Sequence, residues 1–107
     1  MGHDLEEYKK ILEEDIQLLG YEKLRYAIFE GENNNRQEYQ VRIEKNQDVF
    51  EVYMTADRAS VSGKYEYKDV FQAFNRFLSI MQAVILSNRK RVRDGEPPEY
   101  SCPLWNK

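Results

Sequence analysis

The sequence predicts an α+β fold: a two-layer sandwich with two helices on one face of a four-stranded antiparallel meander sheet, in the order α-β-β-β-β-α. Three observations carry this. Apolar residues recur at helical spacing near both ends of the chain. Through the middle they alternate with polar residues. Short breaks bearing Asn, Asp and Gly separate the alternating runs. A chain of 107 residues makes one domain, 1–107, with 94–107 as a C-terminal tail.

The first helix spans about Asp4 to Leu19. Asp4 is its expected cap, Glu6 and Glu7 sit at the positive end of its dipole, and Leu5, Tyr8, Ile11, Leu12, Ile16 and Leu19 form its apolar side. Gly20 is a natural stop. The period then changes to two. Lys23 to Glu30 turns Leu24, Tyr26 and Ile28 to one side. After the polar break Gly31–Arg36, Gln37 to Lys45 sets Tyr39, Val41 and Ile43 inward and Glu38, Gln40, Arg42 and Glu44 outward. Asn46-Gln47-Asp48 turns the chain. Val49 to Ala56 sets Phe50, Val52 and Met54 inward and Glu51, Tyr53 and Thr55 outward. Asp57-Arg58 turns it again, and Ala59 to Tyr67 reads as a weaker strand with Gly63 as a bulge. Short connections predict antiparallel neighbours, and clean alternation predicts one buried and one wet sheet face. Asp69 caps the second helix, which runs to about Arg91 on a core stripe that includes Phe71, Phe74 and Phe77. Gly95, Pro97 and Pro98 then end it.

Composition narrows the class. No run of about eighteen apolar residues is present, so no membrane span is expected, and no secretory signal opens the chain. Gly2-His3 is either native or a cloning remnant. The lone Cys102 cannot form an internal disulfide, and with only His3 for company it cannot build a metal site; a reducing, cytoplasmic compartment fits. No cofactor is expected. A catalytic centre is hard to assemble: Ser60 and Ser62 lack an obvious base, no carboxylate pair stands out, and no glycine-rich phosphate loop is present. The expected role is recognition, not catalysis.

Charge is segregated. Residues 1–57 carry a net −7 and residues 58–107 a net +4, a pattern that marks charged partner surfaces. Glu13, Glu14 and Asp15, with Glu6 and Glu7, give the first helix an acidic ridge. It is either a solvated face or a surface for a basic protein. The cluster Arg89, Lys90, Arg91 and Arg93 suits a helix C-terminus, or else an acidic partner. One short basic run in an acidic protein makes nucleic-acid binding an unfavoured alternative.

The outer sheet face is the main candidate site. Phe29 and Tyr53 stand there as aromatic anchors among Arg42, Glu51 and other charged groups, with Asp57 and Arg58 in the adjoining turn. Two occupants fit it. One is a partner protein. The other is the chain's own tail, with Tyr100, Leu104 and the only tryptophan, Trp105, laid over Phe29 and Tyr53.

The runs Gly20–Tyr26, Glu38–Lys45 and Tyr53–Lys64 and the ending Pro103-Leu104-Trp105 resemble the immunity protein 59 family, small antitoxins of bacterial polymorphic toxin systems. The resemblance covers nearly the whole chain. It implies a non-enzymatic cytosolic protein that binds the C-terminal toxin domain of a cognate secreted effector, one to one, and neutralises it. It carries no fixed binding residues. The expected partner-binding set therefore rests on the surface argument alone: Glu13, Glu14, Phe29, Arg42, Glu51, Tyr53, Asp57, Arg58 and Trp105. A monomer or weak homodimer is expected. A small secretion chaperone or adaptor is the rival class.

Overall fold

A computed structural model describes residues 5–59 and 61–106. The cap expected at Asp4, the pair Gly2-His3 and Ser60 lie outside the described residues. The architecture is α+β, with helix α1 (Leu5–Leu19), strands β1 (Tyr26–Ile28), β2 (Val41–Asn46), β3 (Val49–Thr55) and β4 (Val61–Tyr67), and helix α2 (Val70–Arg93). Short 3-10 turns lie at Asp57–Ala59 and Pro103–Asn106.

Both helices end as the sequence dictates. Gly20 and Gly95 adopt left-handed φ of 76° and 77°. Around the first, Tyr21 N–H donates to Ile16 O and Gly20 N–H to Gln17 O; around the second, Glu96 N–H donates to Arg91 O and Gly95 N–H to Val92 O. This pair of bonds is the Schellman closure, which satisfies carbonyls the helix leaves orphaned. Asp69 caps α2 by accepting a 2.8 Å bond from Phe71 N–H. We expect Asp69→Ala to lose about 1 kcal/mol of stability in urea denaturation; no change in the midpoint would mean solvent caps this end equally well.

The sheet order is β1-β2-β3-β4, and β2, β3 and β4 form the expected antiparallel meander. A register shift opposite Tyr53–Thr55 falls between Val61 and Lys64, where Gly63 sits. The first pairing corrects the expectation: β1 runs parallel to β2, with Tyr26 against Val41 and Ile28 against Ile43, so the sheet is mixed. The cause lies in the connection. Phe29 and Tyr39 take left-handed φ of 54° and 57°, which cuts both strands short. The intervening segment 29–40 is thereby twelve residues long, about the length a parallel crossover needs.

One core joins the inner sheet residues Leu24, Ile28, Val41, Ile43, Phe50 and Val52 to Leu12 and Ile16 of α1 and to Phe74, Phe77, Met81, Val84 and Ile85 of α2. Phe71 departs from the expected stripe. It is 53% exposed, although its ring meets Tyr8 and Phe74 edge-on. By length and composition alone α2 could cross a bilayer, which the sequence reading had not allowed for. Here that apolarity faces the core.

The tail belongs to the same core. Tyr100, Cys102, Leu104 and Trp105 are all buried in it. Tyr100 Oη accepts from Arg25 N–H at 3.1 Å, Trp105 Nε1–H donates to Tyr100 O, and Arg89 Nε–H donates to Leu104 O at 3.0 Å. The tail therefore closes over α2 and the approach to β1. It does not cross the outer sheet face.

Candidate functional site

The outer face of β2 and β3 is not wet. Gln40, Arg42, Glu44, Glu51, Tyr53 and Thr55 are all buried on it: the crossover segment 29–40 bonds to Arg42, Glu44 and Thr55, while Asn46 and Lys64 reach Glu51. Alternation alone could not reveal this, since a polar residue under a polar loop reads like one facing water.

Arg42, with no exposed surface, organises the loop from below. Its Nη2 donates to Gly31 O at 2.7 Å and Asn34 O at 2.9 Å, and its Nη1 to Gln40 Oε1 at 2.6 Å. Its Nε reaches Glu44 Oε2 at 3.1 Å and Tyr53 Oη at 3.2 Å. Glu44 also accepts from Gly31 N–H, so the ion pair and the loop backbone form one unit. Gln40 adds a bond to Asn35 O, and Thr55 Oγ1 donates to Gln37 O. Among the described residues no buried side-chain nitrogen or oxygen lacks a partner. A buried guanidinium is tolerable only on such terms. Burial pushes the Tyr53 hydroxyl above its ordinary pKa, with the Arg42 hydrogen bond working against that.

The clamp fixes an unusual backbone. Phe29, Asn35, Tyr39, Arg58 and Ala59 all have positive φ, each costing about 1–2 kcal/mol outside glycine. They lie in this loop and in the neighbouring 3-10 turn. Arg58 N–H ties the two by donating to Glu38 Oε2 at 2.6 Å, and Arg36 Nε–H donates to Ala59 O. Lys9 bridges from α1 to Glu30 at 2.9 Å. Hydrogen bonds from Lys9 and Asn35 hold the Glu30 carboxyl below its ordinary pKa. Beside Glu30 a cleft of about 380 Å³ opens over Tyr26, Ala27, Asn35, Arg36, Gln37 and Gln40.

The expected site residues divide sharply. Arg42 and Tyr53 are buried beneath the loop, Glu51 is buried between Asn46 and Lys64, and Trp105 lies in the core. Phe29 was placed on the wrong face. Its left-handed φ turns the ring to the core side, 6.1 Å from Phe50. Glu14, Asp57 and Arg58 are exposed and Glu13 is half-buried. The structure gathers Asp57 and Arg58 with the loop residue Glu38 and leaves Glu13 and Glu14 on α1. The break at Gly31–Arg36 is legible as a loop, but its fold back over the sheet is not. Its signal was the run of Asn33, Asn34 and Asn35, a residue type suited to left-handed turns.

The basic cluster is engaged locally. Lys90 pairs with Asp94 at 2.6 Å, Arg89 holds Leu104 O, and Arg91 reaches Pro97 O. Among the described residues no group of three His, Cys, Asp or Glu is placed to hold a metal. A polar interior that shapes a loop is what a small α+β protein needs to present a surface, and that class fits this molecule. The chain belongs to the immunity protein 59 family, whose model matches residues 5–106. No curated protein and no solved structure matches it. Membership implies an immunity protein, with a toxin protein as its kind of partner.

Proposed function

We propose that this protein neutralises a cognate bacterial toxin domain by binding it in the cytoplasm through the crossover loop and the adjoining turn. The observation that carries this reading is the Arg42 clamp. A loop held by bonds to its own backbone is already ordered, so binding costs little further conformational entropy. Its exposed charges, with those of the turn, are mainly acidic: Glu32, Glu38 and Asp57 against Arg58. Such a surface suits a basic toxin groove and speeds encounter with it. Occlusion suffices for inhibition, and the reading requires no catalytic group.

Glu51→Lys or Tyr53→Ala cannot test this surface, because both residues are buried and their loss would disturb the fold. Glu32 is exposed, and among the described residues its one ion pair, with Lys64, is long at 3.7 Å. We expect Glu32→Lys to weaken toxin-domain binding about tenfold or more, chiefly through a slower on-rate, with an unchanged melting temperature. Calorimetry and stopped-flow against the neighbouring effector's C-terminal domain would measure it. Wild-type affinity in Glu32→Lys, with loss in Glu14→Lys, would move the interface to α1.

A further inference from the structure

Strand β4 is the last strand of the sheet, and Gly63, Lys64, Tyr65 and Glu66 along it are exposed. Thr55 N–H bonds Gln40 O on the β2 side, so the odd residues of β3 face β2 and the even ones face β4. Tyr65 and Tyr67, opposite Val52 and Phe50, therefore turn their backbone groups inward. Lys64 and Glu66 turn theirs to the open edge.

The same two residues carry an unfinished row of charge. Glu44 stands opposite Glu51, and Glu51 opposite Glu66, which places three carboxylates side by side across the sheet. Arg42 partners the first and Lys64 the second, at 3.0 and 3.4 Å. Among the described residues no ion pair reaches the third.

We propose that a second copy of this chain completes the row by pairing antiparallel along β4, on a two-fold axis at Tyr65. Of the centres inside the strand this one is self-complementary; a centre on Tyr67, which would oppose Glu66 to Lys68, falls at the strand's last residue. The Tyr65 centre sets Lys64 opposite Glu66 of the other copy, twice, through the backbone groups that face outward. Tyr65 meets its own counterpart in a non-hydrogen-bonded pair, where side chains approach most closely. Tyr67 falls opposite Gly63, which has open space above it for an aromatic ring to cover. Centring on Lys64 or Glu66 would instead oppose like charges. Tyr65, 50% exposed, is already stacked on the Arg76 guanidinium at 4.3 Å, the residue pairing typical of interface anchors. This pairing meets the crossover loop at Lys64, through its 3.7 Å contact with Glu32, but it is read by sedimentation with no toxin present, so its failure and that of the toxin reading are distinguishable.

Sedimentation of the full chain across a concentration series tests it, together with two variants. The wild type is expected to dimerise reversibly. Glu66→Lys is expected to raise the dimer Kd about tenfold or more by replacing two opposite-charge pairs with two like-charge pairs. Its melting temperature should hold or rise, because it relieves the Glu51–Glu66 opposition within one copy. Tyr65→Cys is expected to give a disulfide-linked dimer under mild oxidation, whereas the wild type, whose Cys102 is buried, gives none. A wild type that stays monomeric at the highest attainable concentration overturns the proposal. So does a dimer that survives Glu66→Lys, or a Tyr65→Cys chain that does not cross-link.

Discussion

Arg42→Ala is expected to destabilise the protein by about 3–5 kcal/mol, the usual cost of breaking a buried ion pair from one side. The reason is not the pair alone. Removal of the guanidinium strands the Glu44 carboxylate and withdraws the donor from the carbonyls of Gly31 and Asn34 and from Gln40 Oε1. Each is left in a dry space that water must now enter. Arg42→Met separates charge from volume, since it keeps an unbranched stem there. We expect it to lose nearly as much, measured by urea denaturation, and limited proteolysis to cut within 29–40 in both variants before the rest of the chain. If Arg42→Met were within about 1 kcal/mol of wild type, the loop would be held by packing and the clamp would be incidental.

Trp105→Ala is the second large effect, about 3–5 kcal/mol, as expected for truncating a buried tryptophan. Trp105 is 4% exposed and joins the core that contains Leu24 and Ile28. Its ring stacks edge-on with Tyr100 at 5.3 Å, and Tyr100 in turn holds the Arg25 amide just ahead of β1. Loss of the indole therefore loosens the edge of the sheet as well as the tail. As the only tryptophan in the chain, it also reports on itself: the native protein should emit in the blue-shifted range of a buried indole and shift red in a single transition with the far-ultraviolet signal. An early red shift, ahead of the loss of secondary structure, would show a tail that undocks by itself and would contradict a shared core.

The elements were legible where one physical rule decided them. Helical spacing with Gly20, Asp69 and Gly95 as punctuation located both helices, and alternation located β2, β3 and β4, with Val41, Ile43, Phe50 and Val52 turned to the core. What failed was geometry set at a distance. The direction of β1 depends on where its connection stops being strand, and that was decided by left-handed φ at Phe29 and Tyr39, which no propensity favours. The expected wet face differs from the structure for a related reason. Arg42, Glu51 and Tyr53 were assigned correctly to the outer face, yet a face is wet only if nothing folds over it. The tail, one of the two occupants expected on the outer face, does not lie there: Tyr100, Cys102, Leu104 and Trp105 are buried in the core. Their cover comes from α2 and the segment before β1.

Besides Gln40 Oε1 at its end, the atoms that Arg42 grips on the crossover loop are main-chain carbonyl oxygens of Gly31, Asn34 and Asn35. Every amino acid supplies one. Among the described residues the side chain of Asn33 takes no part in the anchorage, and that of Glu32 has only its long contact with Lys64. Shape and lettering are thus separable at those positions. If the loop meets a toxin as proposed, substitutions there would rewrite what it says to that partner while the scaffold that pronounces it stays the same, leaving such a domain room to follow a changing adversary without refolding.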